Sequence, residues 1–246
     1  MAIVHCRPLG RQRHHSRTVV TNAKMTKLLT IILTIISITV TAQSTDCGCF
    51  NGIGSSESDK PSLTIKFSNG TTLSVCGYEQ ERLSENEVLI SEFNVFNCKT
   101  GEQLVEYGAV QNCIVKKDEL ELTITELKYL PAGENWKWEQ VEIGLQQIFV
   151  KENELVVLEQ KPAFEQVDID ESKADSFLIE LRNLKGTRNL DNPEEILGRL
   201  EILALNDFKD VVDILYDFEN YFNYQTDGAI AEQWKDAVAT VKWIKE

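Results

Sequence analysis

Leu63-Thr64-Ile65-Lys66-Phe67-Ser68-Asn69-Gly70-Thr71-Thr72-Leu73-Ser74-Val75 is the stretch on which the fold turns. Apolar and polar residues alternate on both sides of Asn69-Gly70, the period of a strand with one buried face. A two-residue turn at Asn69-Gly70 would set Ile65 opposite Ser74 and mix the faces. A three-residue loop, Ser68-Asn69-Gly70, sets Ile65 against Leu73 and Leu63 against Val75. Gly70 then takes the left-handed position of a bulged turn. The matched faces select the three-residue loop, and with it an antiparallel hairpin.

Working outward, the same period continues. A second hairpin around Lys99-Thr100-Gly101 pairs Phe96 with Leu104, Val95 with Val105 and Phe93 with Tyr107. Leu120, Leu122 and Ile124 alternate with polar residues, and the apolar phase slips before Leu127 and Tyr129, which predicts a bulge. Val141, Ile143 and Leu145 make another strand. Ile148–Val150 and Leu155–Leu158 flank a Lys151-Glu152-Asn153 turn. Near Asp168 the period becomes 3.6. Phe177, Leu178, Leu181 and Leu184 form a helical stripe that stops at Gly186, and Asn192-Pro193-Glu194-Glu195 is a start signal with a capping Asn and Pro at the first helical position. Ile196, Leu197, Leu200 and Leu203 follow. A third helix is expected from about Asp207 to Phe222, with Phe208, Val211, Val212, Leu215, Phe218 and Phe222 inward. A fourth carries Ile230, Trp234, Val238, Val241 and Ile244. Strands first and helices after define an α+β protein: an antiparallel sheet built from hairpins over about 61–162, then a C-terminal bundle of about four helices over about 170–245. Residues 61–165 and 168–246 form one domain or a β domain with a helical segment; the sequence leaves both open.

The N-terminal part reads differently. Residues 25–42 have a positive head at Lys27, a 13-residue apolar run from Leu28 to Val40 and small residues at Thr41 and Ala42. That is the order of a secretory signal peptide, and the run falls short of the roughly 20 residues a spanning helix needs. Cleavage is expected after Ala42, giving a secreted or periplasmic protein that begins at Gln43. Residues 1–24 hold five basic residues and no acid. They are read as an over-extended start, with a basic anchoring head or an organelle transit segment as alternatives. Residues 43–60, rich in Gly and Ser, read as a Cys-containing tether.

Residues 1–42 hold six of the 25 basic residues and none of the 39 acidic ones, which leaves 19 against 39, a net charge of −20. Such a body repels phosphate backbones, so nucleic acid is not expected as a partner. All three histidines (His5, His14, His15) precede Met25. From Met25 onward this removes the Ser-His-Asp triad, the Cys-His pair and His-containing zinc sites. Cys47, Cys49, Cys76, Cys98 and Cys113 are disulfide candidates in an oxidising compartment: two bonds and one leftover thiol, in an order the sequence does not choose. Cys47-Gly48-Cys49 lacks a second pair to complete a four-thiolate cage, so no metal and no cofactor are expected.

Three further features are candidates for chemistry. Trp136 and Trp138, two apart beside a turn, offer an aromatic contact surface, or bury one strand face against the helices. Asp168, Asp170, Glu171 and Asp175 resemble part of a calcium loop without its Gly and closing Glu, and capping the following helix is the simpler role. Asp207, Asp210, Asp213 and Asp217 form an acidic stripe on the third helix, a solvated face or a surface for a basic partner or cation. Asn69-Gly70-Thr71 fits the N-glycosylation pattern, which matters only on a eukaryotic secretory route. The function expected is a non-enzymatic binding or interaction protein with a protein or glycan partner outside the cytoplasm. The alternatives are a carboxylate-dependent glycan hydrolase, whose two acids the sequence does not pick out, and a membrane-anchored cell-envelope protein, with membrane contact only if the leader stays uncleaved.

Overall fold

A computed structural model of the chain describes residues 47–49 and 60–245. The expected leader, the residues before it and most of the tether lie outside that set. Eight strands come first: β1 (Leu63–Lys66), β2 (Thr72–Ser84), β3 (Glu87–Asn97), β4 (Gln103–Lys117), β5 (Glu121–Leu130), β6 (Glu139–Lys151), β7 (Glu154–Val157) and β8 (Lys161–Pro162). Five helices follow: α1 (Glu171–Leu184), α2 (Pro193–Leu205), α3 (Lys209–Tyr216), α4 (Phe218–Phe222) and α5 (Gly228–Lys245). The protein is α+β. Its sheet is an antiparallel meander in the order β1-β2-β3-β4-β5-β6-β7, with β8 also paired to β6.

The first hairpin has the three-residue loop that face matching demands. Leu63 pairs with Val75 and Ile65 with Leu73, and Gly70 sits at φ 83°. The second hairpin keeps Phe93 opposite Tyr107 and Val95 opposite Val105, but Phe96 meets Gln103 rather than Leu104. Asn97 closes the turn with two backbone bonds, donating to the Glu102 carbonyl and accepting from Gly101, and a register shift after Val95 absorbs the extra residue. The expected bulge near Leu127 is present, with the extra residue on β6: Glu126 pairs with Gly144 and Leu127 with Glu142, while β5 runs on unbroken. β6 is one strand from Glu139 to Lys151, so the runs at Val141–Leu145 and Ile148–Val150 are continuous. Its turn to β7 is only Glu152-Asn153, both at positive φ.

Two hydrophobic cores result. The first takes Leu63, Ile65, Leu73, Val75, Ile90, Phe93, Val95, Tyr107, Val115, Leu122, Ile124 and Ile148 with no helical residue among them. A sheet that buries one face without a covering layer must curl around that face. Two long-range bonds mark the curl: Asn69 Nδ2 donates to the Asn153 carbonyl at 3.1 Å, and Lys117 Nζ donates to the Thr64 carbonyl at 2.9 Å. The second core joins Leu130 of β5 and Val141 of β6 to the inward faces of the helices, among them Phe177, Leu181, Leu197, Leu203, Phe218 and Val241.

Two helix details differ from the expected pattern. The third helix breaks at Asp217 (φ −113°) into α3 and α4, so five helices stand where about four were expected. Asn192 occupies the cap position of α2 in a left-handed conformation (φ 57°) without a side-chain capping bond, leaving Pro193 to set the start. Asp170 does cap α1, its carboxylate accepting from Ser172 N at 2.9 Å and Ser172 Oγ at 2.7 Å, which holds the carboxyl below its ordinary range.

Two disulfides, Cys47–Cys98 and Cys49–Cys76, pin the short Cys47-Gly48-Cys49 segment to the end of β3 and to β2. Cys113 is the leftover thiol and is fully buried.

Candidate functional site

β4 and β5 do not pair along their whole length, and the site follows from that. β4 and β5 run together from Lys117↔Leu122 to Asn112↔Leu127, where the ladder ends. Beyond it β4 stays with β3, and Lys128–Leu130 of β5 stay with β6. On β4 the residues between Tyr107 and Asn112 bulge away, so that Val110 is 94 % exposed. A groove of about 780 Å³ opens where the strands part, and α5 forms its far wall.

α5 reaches the groove because it has two useful faces. Ile230, Trp234, Ala237, Val241 and Ile244 face the helical core. Ala229, Glu232, Gln233, Asp236, Ala239, Thr240 and Trp243 recur at helical spacing on the groove side. Across from them stand Val110, Gln111 and Asn112 of β4 and Glu126–Tyr129 of β5, with Ile143 and Gln160. Gly144 of β6 keeps two of these walls in place. A Cβ there would lie 2.6 Å from Gln160 Nε2 and 2.8 Å from Trp243 Cη2, so only glycine lets both side chains lie on the strand.

A charged cluster anchors the groove to the helices. Lys128 Nζ lies 2.6 Å from Glu201 Oε1 of α2 and 2.6 Å from Asp236 Oδ2 of α5, and donates to Thr240 Oγ1 at 2.8 Å. Glu201 is 2 % exposed, whereas the Asp236 side chain is largely in solvent. Burial pushes the Glu201 carboxyl up to about 7 against the opposing pull of Lys128. Beside the cluster, Glu126 accepts from Gln111 Nε2 at 3.2 Å and from Gln160 Nε2. Beneath it, Tyr107 stacks on Phe93 (4.8 Å between ring centroids, 5° between planes) and donates to Gln146 Oε1. Burial raises both the Tyr107 hydroxyl and the Cys113 thiol, with Glu126 adding to each, so Cys113 is a poor nucleophile.

The residues singled out from the sequence lie elsewhere. Trp136 and Trp138 are not on a strand: Trp136 ends a 3₁₀ turn at φ 59°, and β6 starts only at Glu139. Each is half-buried against a helix. Trp136 meets Phe177 of α1 and the Arg199 guanidinium, and Trp138 packs over Gly198 of α2 and beside Tyr129. Trp136 shares a cleft of about 340 Å³ with Glu134, Asp168, Asp170 and Lys173, so the sequence's aromatic pair and its calcium-like acids meet at one edge. Asp207, Asp210, Asp213 and Asp217 are all exposed; Asp210 and Asp213 lie on α3, Asp217 at its end and Asp207 before its start. Asp207 precedes α3 and binds Lys245 Nζ at 2.6 Å and Gln166 Nε2 at 2.6 Å, which holds its carboxyl below the usual range. Asp217 lies at the break and accepts from Asn220. Among the described residues no group of three or more Cys, His, Asp or Glu side chains is placed to hold a metal ion, and no helix is long and apolar enough to cross a membrane.

The chain matches no family model, and no curated protein or solved structure is significantly similar to it. The sequence did carry one unused signal. α2 is apolar nearly all round, and Glu201 is the single acid within its Leu200–Leu205 stretch. An acid on such a helix needs a cation partner from another element.

Proposed function

We propose that this is an exported, non-catalytic binding protein, and that the groove between the parted strands and α5 is where it holds a partner outside the cytoplasm. The observation that carries the reading is the makeup of that groove. It offers apolar and aromatic side chains (Val110, Tyr129, Trp243) beside amides (Gln111, Asn112, Gln160, Gln233) in a space large enough for a ligand of several residues. Two disulfides and the signal-peptide pattern of residues 25–42 support export.

One observation leans toward the carboxylate hydrolase instead: Glu201, close to neutral in its titration, stands near Asp236 across Lys128. A general acid must touch its substrate, and Glu201 of α2 is buried beneath Lys128. The binding reading therefore takes precedence.

The test is retention on peptide and glycan arrays by the oxidised protein recovered from the compartment where it accumulates. Ala239 is exposed on the groove side of α5, so Ala239→Trp fills the groove without touching the core. A ligand held by the wild type and lost by Ala239→Trp supports the reading. Equal retention by both, or turnover of any substrate, contradicts it. Intact mass of the same material checks export: the chain should begin at Gln43 and gain about four hydrogens on reduction, two for each disulfide.

A further inference from the structure

We infer that the groove takes an extended basic peptide, which joins the sheet as an added strand between β4 and β5; this rests on reading the groove as the ligand site. Past Asn112↔Leu127, Gln103–Tyr107 of β4 pair with β3 alone and residues 128–130 of β5 with β6 alone, while Gly108–Gln111 of β4 bulge and pair with neither neighbour. The bulge and the end of β5 therefore leave backbone groups at the gap without a ladder partner, and another backbone in strand conformation satisfies such groups. Among the described residues only a single side chain serves this stretch of β4, where Gly108 N donates to Gln111 Oε1 at 2.9 Å.

Length and charge agree with the choice. The groove face of α5 runs from Ala229 to Trp243. Those 14 helical steps cover about 21 Å, the span of roughly six extended residues. The charged side chains lining the groove are Glu126, Lys128, Glu232 and Asp236. Lys128 is already claimed by buried Glu201 and by Asp236, so the groove offers carboxylates to an incoming chain without a free cation of its own. From Gln43 onward the chain is itself strongly acidic. An added strand turns every second side chain toward α5, which sets Lys or Arg against Glu232 and an apolar residue against Trp243 farther along the helix.

The experiment uses the isotope-labelled, oxidised protein and four probes. They are a pool of peptides of about eight residues with Lys or Arg at alternate positions, the same pool with Glu there, the basic pool methylated on alternate backbone nitrogens, and a mixture of uncharged oligosaccharides. The basic pool should move the amide signals of Gly108–Gln111 and Lys128–Leu130, and binding should weaken about tenfold between roughly 0.05 and 0.5 M salt. Methylation and the Glu pool should abolish it. Ala239→Trp and Glu232→Lys, both at exposed positions, should each lose about tenfold or more. Equal binding of the Glu pool, or of the methylated pool, overturns the added strand. Oligosaccharides moving the groove signals while peptides do not leaves the groove as the ligand site and overturns the peptide. No probe moving those signals overturns both.

Discussion

Along β5, Leu122 and Ile124 enter a core of aliphatic and aromatic side chains, whereas Glu126 and Lys128, at the next two even positions, meet amides, carboxylates and a hydroxyl before Leu130 joins the helical core. One strand thus crosses two kinds of interior. Inside the curled sheet, residues from β1 through β7 bury one another, and the driving force is apolar area removed from water. At the junction with the helices, burial has to accommodate ionised groups. Those groups are stable only while each keeps its partner. The sheet interior is a place for tolerance of modest apolar exchange. The junction is a place where single polar changes cost most and where a ligand finds polar groups already oriented.

Breaking the first region should give the largest effect. Phe93 is fully buried and stacked on Tyr107. Phe93→Ala should cost about 3–5 kcal/mol of unfolding free energy in a urea titration. Removing either disulfide should follow closely. Cys47–Cys98 and Cys49–Cys76 span 51 and 27 residues, for which chain entropy gives about 4 kcal/mol each as a ceiling. Cys113, sealed in the sheet, should react with a thiol reagent only on unfolding.

The junction is sharpened by its ion cluster. Lys128→Met removes the cation and leaves Glu201 buried beside Asp236, which should cost about 3 kcal/mol near pH 7.5. Glu201 also sets a pH dependence of uncommon sign. Its carboxyl titrates near 7 in the folded protein, above the ordinary value of 4.5 that it regains on unfolding. Between those values the folded state holds the proton more tightly, so stability should fall by about 2–3 kcal/mol as pH rises from 4.5 to 7. Glu201→Gln should flatten that slope, measured by thermal or urea unfolding at several pH values. Gly144→Ala, which pushes Gln160 and Trp243 outward, should cost less, about 1–2 kcal/mol. Its larger effect should be on ligand retention in the groove.

What the sequence disclosed follows the same division. Where one face is apolar, a shift of one residue exposes it, so Leu63↔Val75, Ile65↔Leu73 and Phe93↔Tyr107 were legible. Bulges gave less away, because the missing or extra residue can lie on either strand: Phe96 meets Gln103, and the slip near Leu127 is taken up on β6. The helices were legible from their stripes, but nothing in Asp217 announced the break between α3 and α4. The two disulfides were expected in number and not in pairing. The groove was hidden, since it depends on where two long strands part company rather than on any local pattern. The acids and tryptophans that were conspicuous in the sequence turned out to lie at other edges, while Glu201 announced only its need for a cation, and nothing marked Lys128, 73 positions away, as the partner.

The parting of β4 and β5 is what the groove, and the function proposed for it, depend on, and amide hydrogen exchange of the free protein reads it directly. Ala109 and Val110 of β4, with the amides of Lys128–Leu130 that point away from β6, should exchange orders of magnitude faster than Val88–Ser91 and Leu122–Thr125, which lie inside paired ladders. Slow exchange at Ala109, Val110 and Lys128–Leu130, equal to that of the flanking ladder, would mean that the two strands are zipped together. The groove would then be closed, and the binding function would have to be sought elsewhere on the molecule.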